Sequence, residues 1–272
     1  MTMQMNSHLH RGFTLVELIM VIVITGIIAA IVGVFIRQPV EGYVDLSRRA
    51  ELVDAAESAL RLMARDIRRA LPNSIRITGG TQIEMINTVQ GARYRATPPG
   101  APAKVLNFSA PDNSFNVFGQ HLQEGTLSGH HLVVYNLGIA GADAYSWDNV
   151  ITPASDITIA NDDAAPTAGE QTITLDDISH QFAYESPRQR IFLVDGAISY
   201  RCEGTALNRY GVYAIGGGVG TGTPVTRHVN GCTFTYNPGT ATRAGLVTLE
   251  LTLTDGGESV RLLHQVHVDN VP

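Results

Sequence analysis

"RGFTLVELIMVIVITGIIAAIVGVFIR", residues 11–37, decides how the rest of the chain is read. From Leu18 to Ile36 only Thr25, Gly26 and Gly33 interrupt the apolar run. With Phe13 to Val16 added, it exceeds the roughly 20 residues that cross a hydrocarbon core as a helix. One carboxylate, Glu17, stands near its start. A charge inside a bilayer costs about 2.5–3.5 kcal/mol on insertion scales and is retained where it has a partner or a task. A cleaved secretory signal would be shorter and end in a small-residue cut site, whereas Ala29 and Ala30 are followed by more apolar sequence. An ordinary signal anchor fits the length and the Arg11 flank, with Glu17 close enough to the end of the span to reach water, but it gives the acid no role.

A polar leader ending in Gly12, then Phe13, then Glu17 four residues later, then an unbroken apolar helix: "GFTLVEL" resembles the processing site of type IV pilins and of type II secretion pseudopilins. The resemblance implies that a membrane-embedded prepilin peptidase cuts between Gly12 and Phe13 and methylates the new Phe13 amine. It also implies a task for Glu17, which pairs with that cation in its own chain or, during assembly, with the Phe13 amine of a neighbouring subunit. Breaking a buried pair costs several kcal/mol, so a misplaced subunit is penalised. On this reading the carboxylate is an assembly and register residue.

Beyond the span, Pro39 removes a backbone donor, and the sequence predicts a kink or local melting near Arg37 to Val40. Val53, Ala56, Leu60, Met63, Ile67 and Ala70 then recur at spacings of three and four, one apolar stripe suited to docking a domain. Glu57 and Arg61 fall at i, i+4 on the other side. Pro72 and Asn73 stop the helix. The expected organisation is a leader over 1–12, a transmembrane part of the helix over 13–38, an amphipathic part over 39–71 and a head over 72–272.

After Pro72 the hydrophobic period changes to two. "SIRITGGTQIEMI" reads as a hairpin around a Gly-Gly turn, and "GLVTLELTLTDGGESVRLLHQVHV" as a second, with strands Leu246 to Thr254 and Ser259 to Val268. "HHLVVYNLG", "QTITLDDI", "RQRIFLVDGAISYRC" and "GCTFTYN" are further strand candidates. The fold class is therefore α+β: a long N-terminal helix followed by a mostly antiparallel β head. Cys202 and Cys232 are too far apart for a CxxC motif; they are two buried thiols or one disulfide. A head carried to the periplasm favours the disulfide, joining the "YRC" and "GCTF" strands.

"RLMARDIRRALPNSIRI", "AISYRCEGTALNRYGVYAI" and the segment from Gly231 to Pro272 resemble the minor pilins of the mannose-sensitive haemagglutinin (MSHA) class of type IV pilus. The resemblance implies a low-copy structural subunit that initiates assembly or sits at the tip. Its partners would be other major and minor pilins, the prepilin peptidase and the inner-membrane assembly platform. It would start as a single-pass inner-membrane protein and end in the extracellular pilus. A J-type pseudopilin of type II secretion is the alternative, and a tip adhesin a third reading, with Tyr135, Tyr145 and Trp147 as candidates for a glycan surface.

The other chemistry considered is excluded or unsupported. A formal net charge of −6 removes the electrostatic case for nucleic-acid binding. Between residues 41 and 71, Glu41, Asp45, Glu51, Asp54, Glu57 and Asp66 balance arginines 48, 49, 61, 65, 68 and 69. His264 and His267, and likewise His130 and His131, fall on opposite strand faces, which disfavours a metal site. "GGGVGTG" lacks the Lys-Ser/Thr of a phosphate loop. Asp112, Asn113, Asn116, Asp162 and Asp163 lack the spacing of a calcium loop. No catalytic constellation, cofactor or metal is expected.

Overall fold

The computed structural model describes residues 12–97, 104–163, 168–240 and 243–272, except for the side chains of residue 34 and residues 36–41. The leader up to Arg11 lies outside these residues. The chain divides into two compact units, Met1–Glu51 and Leu52–Pro272.

Helix α1 spans Leu15–Arg68. The melting expected near Arg37 to Val40 does not occur: the backbone is helical across Pro39, which withholds only the single N–H that would have reached the carbonyl four residues back. The side chains around Pro39, and with them the expected kink, lie outside the described residues. At the other end the helix stops three residues short of Leu71. Arg69 and Ala70 close i→i+3 bonds onto Asp66 and Ile67, and the chain then pairs with strand backbone through Leu71 N to Ile86 O (2.9 Å) and Thr88 N to Arg69 O (3.1 Å). Asn73, at φ 60°, turns the chain away.

The strands are β1 (Arg76–Thr78), β2 (Gln82–Tyr94), β3 (Ser114–Phe118), β4 (Gly125–Leu127), β5 (His131–Val133), β6 (Ile157–Asp162) and β7 (Glu170–Leu175). They continue with β8 (Arg190–Glu203), β9 (Ala206–Tyr213), β10 (Thr223–Arg227), β11 (Val229–Asn237), β12 (Gly245–Asp255) and β13 (Glu258–Val268). A large sheet runs in the order β10-β9-β8-β2-β3-β7-β6-β4, with β1 on β2 and β5 on β8; a small sheet runs β11-β12-β13. All the pairings are antiparallel, and with α1 they make an α+β fold. Gly256 and Gly257, with φ of 54° and 91°, form the two-residue turn that joins β12 to β13, where only residues tolerant of positive φ fit.

Within the Leu52–Pro272 unit, Leu52, Ala56, Leu60, Met63 and Ile67 of α1 pack into one core with Ile83 and Met85 of β2, Ile198 and Tyr200 of β8, and Leu249 and Leu251 of β12. The docking stripe is therefore real but begins at Leu52: Val53 is exposed, because the buried face is centred on the 52-56-59-60-63 side. A second core lies at the other end of β2 and β8, around Tyr94, Phe115, Phe182, Ile191 and Leu193. The register of β2 against β8 slips between Asn87 and Gln90, and opposite this bulge Gly196 sits at φ 140°. A Cβ there would lie 2.4 Å from the Tyr213 carbonyl, so only glycine lets β9 close on β8.

Two devices tie helix and sheets together. Asp66 is buried on the core face of α1, where its Oδ2 accepts from Tyr200 Oη (2.7 Å) and Arg209 Nε (2.8 Å). Burial first, and then this hydrogen bond, push the Tyr200 phenol well above its ordinary pKa. Cys202 on β8 is bonded to Cys232 on β11, a disulfide between the two sheets with 30 residues of separation.

Replacing Asp66 by Ala strands Arg209 and Tyr200, and is expected to lower the unfolding free energy by about 2–3 kcal/mol. The control, Asp54→Ala on the exposed face, should change it by less than about 0.5 kcal/mol. Denaturant melts of the two variants check this; equal losses would show that the buried acid contributes nothing special. The Cys202→Ser, Cys232→Ser double variant should lose about 3–4 kcal/mol, the loop-closure value for this separation, read from the same melts under non-reducing conditions.

Candidate functional site

Two regions hold the residues singled out from sequence. The first is the start of α1. Gly12 and Phe13 precede the helix, and Phe13 is exposed. Leu18 N donates to Thr14 O (3.1 Å), which makes Thr14 the N-cap. Its hydroxyl accepts from Glu17 N (3.3 Å) and faces Glu17 Oε2 (3.5 Å). "TLVE" has the spacing of a capping box, of which one half is formed: the Thr14 hydroxyl takes the Glu17 N–H, while the Glu17 carboxylate accepts from that hydroxyl rather than from the Thr14 N–H. Sequence reasoning had left Thr14 out, although the S/T-x-x-E spacing was there to be read.

From this cap the segment Leu15–Gly33 presents an apolar surface all round; its mean hydropathy is 2.9, and none of it is buried among the described residues. Ile19, Val23, Ile27 and Ile31 are as open as Ile22 and Ile24. A helix apolar on every face is stable where lipid or other helices cover it. By length and composition this segment can cross a membrane. Glu17 is the one acid within it.

The second region is the head. The three aromatic residues considered as a glycan surface are separated by the fold. Tyr145 is buried, and its ring lies under the Arg76 guanidinium at 3.8 Å. Tyr135 is half-buried against the second core. Trp147 alone is open, with 42% of its surface exposed.

The polar groups weighed as ligands are engaged in holding loops. Asn116 is buried, and its Nδ2 donates to Asp162 Oδ2 (2.8 Å) and Glu170 Oε2 (3.3 Å), while Arg95 pairs with Glu170. Asp112 accepts from the backbones of Asn107 and Ser114. His131 is buried with Nδ1 3.0 Å from Thr152 O, and burial pushes its pKa below the ordinary value. His264 is half-buried and His267 exposed on β13. Among the described residues no group of three or more His, Cys, Asp or Glu is gathered to hold a metal. "GGGVGTG" leads into strand β10 rather than a helix.

Residues 8–33 match the family model described as the prokaryotic N-terminal methylation motif. No curated protein and no solved structure matches the chain. The matched residues contain Gly12, Phe13, the Thr14–Glu17 cap and the whole apolar span, so the N-terminus carries the methylation motif of type IV pilin-like proteins, and the first helix fits a membrane anchor.

Proposed function

We propose that the chain is a minor pilin, a structural subunit rather than an enzyme, of a type IV pilus of the MSHA class, where it resembles the minor pilin MshO. Prepilin peptidase cuts between Gly12 and Phe13 and methylates the Phe13 amine. The helix holds the protein in the inner membrane with the β head in the periplasm. On assembly the subunit leaves the bilayer for the pilus, at or near its tip, beside other major and minor pilins.

The observation that carries this reading is Glu17, a lone acid at the head of a fully exposed apolar helix inside the matched methylation motif. Size supports a low-copy position, since a head of roughly 200 residues is bulky for a repeating shaft subunit. The resemblance of the segments around Pro72, Cys202 and the β12–β13 hairpin supports the MSHA assignment over a J-type pseudopilin of type II secretion. If deleting the protein blocks export of folded exoproteins while pili persist, the pseudopilin reading replaces it.

Mass spectrometry of the N-terminal peptide tests the processing step. The mature chain should begin at N-methylated Phe13 in cells with the peptidase and keep its leader in cells without it; a retained leader in both reduces the segment to a plain anchor.

Substitution of Glu17 separates capping from charge. Glu17→Gln keeps an acceptor for the cap but removes the charge. It should insert and fold normally while pilus number falls at least about ten-fold, as expected when a pair worth several kcal/mol is lost. Pilus counts by electron microscopy at the wild-type level would show that Glu17 serves only to start the helix.

A further inference from the structure

We propose that the head carries a carbohydrate-binding site built on Trp147, in a cavity of about 360 Å3 bounded by Trp147 and Asn149 on one side and Asp177, His180 and Gln181 on the other. Its size falls within the roughly 300–1,000 Å3 of small-ligand pockets.

The indole is held out by a pre-set turn. Asp143 Oδ1 accepts from Tyr145 N (3.0 Å), and Asp143 Oδ2 accepts from Arg76 Nη2 (2.6 Å). Ala144 N donates to Asn136 Oδ1 (2.9 Å), and the Tyr145 ring is clamped beneath Arg76. Trp147 ends this 3-10 turn at φ 56°, ψ 32°, with its N–H on Ala144 O. A bulky residue in the left-handed region is uncommon, and such strain collects at ligand clamps. The His131 and Trp147 rings pack in a T-shape at 4.9 Å between centroids, which steadies the indole. An exposed aromatic ring held this firmly loses little entropy on binding.

The opposite wall is as firmly held and leaves polar atoms unused. Asp177 Oδ1 accepts from Ser179 N and Oγ, and Ala183 N reaches Asn149 O (2.8 Å), joining the two walls. Gln181 Nε2 donates to Phe108 O, and its Oε1 carries no hydrogen bond among the described residues. His180 is 93% buried, its ring set at right angles to that of Phe182 with 4.6 Å between centroids, so it closes the floor of this wall.

The lining decides the chemical class. It contains no Lys or Arg, so a phosphate or carboxylate ligand would find no countercharge, while its one acid, Asp177, takes both Ser179 bonds on Oδ1 and keeps Oδ2 without a hydrogen bond among the described residues. What it offers is one aromatic face, two amides and a carboxylate oxygen. A hexopyranose ring matches this: one face of C–H groups for the indole and a rim of neutral hydroxyls for the amides. This inference concerns the head alone and does not depend on the processing of the N-terminus.

Trp147 is the only tryptophan in the chain, so its emission reports on this site alone. The detergent-solubilised full chain is titrated into the high-millimolar range with the methyl glycosides of glucose, galactose and N-acetylglucosamine. A saturable change in emission with at least one of them is expected. Asn149→Ala and Gln181→Ala should each weaken it about ten-fold, the loss of one hydrogen bond, at unchanged Tm. Absence of any saturable response, while acrylamide still quenches the ring, overturns the proposal. So does a response that survives both substitutions. A shift produced by purified pili and by none of the glycosides makes the patch a subunit contact and also overturns it.

Discussion

Helix α1 must satisfy two solvents with one backbone. Over Leu15–Gly33 every face is apolar and uncovered by any described residue, which water penalises at roughly 25 cal/mol per Å2. From Leu52 onward the same helix narrows to a single stripe that β2, β8 and β12 cover. The switch from all-round to one-sided hydrophobicity separates an element made for lipid or for other helices from one made for a protein core. The first core of the head is incomplete without Leu60, Met63 and Ile67, so the helix that carries the anchor is also a structural part of the head.

That dependence explains why polar groups are concentrated at the helix–sheet contact. Asp66 would be a costly residue on the buried face if it stood alone, but the Tyr200 hydroxyl and the Arg209 guanidinium both reach it, so one helical carboxylate fixes the position of β8 and β9. Strands β2 and β8 are long enough to serve both cores, and beside the slip at Asn87–Gln90 their Ile86 and Val194 join a third cluster with Leu71, Val133 and Tyr145. The small sheet shares the first core, and the Cys202–Cys232 bond fixes it to β8.

Much of this was legible in sequence, and the reasons differ by region. The helix, the DGGE hairpin and the strands around residues 131, 190–203 and 229–237 announced themselves through unmixed periodicity and glycine turns. Strands β3, β4 and β6 did not: they are only three to six residues long, lie among Asn- and Asp-rich loops, and are specified by partners distant in sequence. The stripe was placed one residue late because Val53 and Leu52 fit a helical period almost equally, and only the shape of the covering sheets separates them. In sequence Asp66 is only one of six acids that balance six arginines, since its partners arrive from more than a hundred residues away. The separation of Tyr135, Tyr145 and Trp147 was equally invisible, because aromatic residues close in sequence become core or surface according to turns that local pattern does not encode.

The charge on Glu17 has to be weighed against the local service it performs. As the third helical residue after the Thr14 cap it needs only an acceptor oxygen for the Thr14 hydroxyl, which Gln supplies equally. Its interaction with the helix dipole is worth about 0.3–1 kcal/mol, less than the roughly 2.5–3.5 kcal/mol that an ionised side chain costs in the bilayer interior. Where the carboxylate is held away from water, local structure therefore does not offset the charge, and a cation is needed. Between Gly12 and Ile36 the chain has no Lys, Arg or His. The nearest fixed positive side chain is Arg11, which the proposed cut removes while creating an amine on Phe13. On the proposed account the same hydrolysis that deletes one cation installs another closer to Glu17, where the amine can pair with the carboxylate of its own chain or with that of a neighbouring subunit.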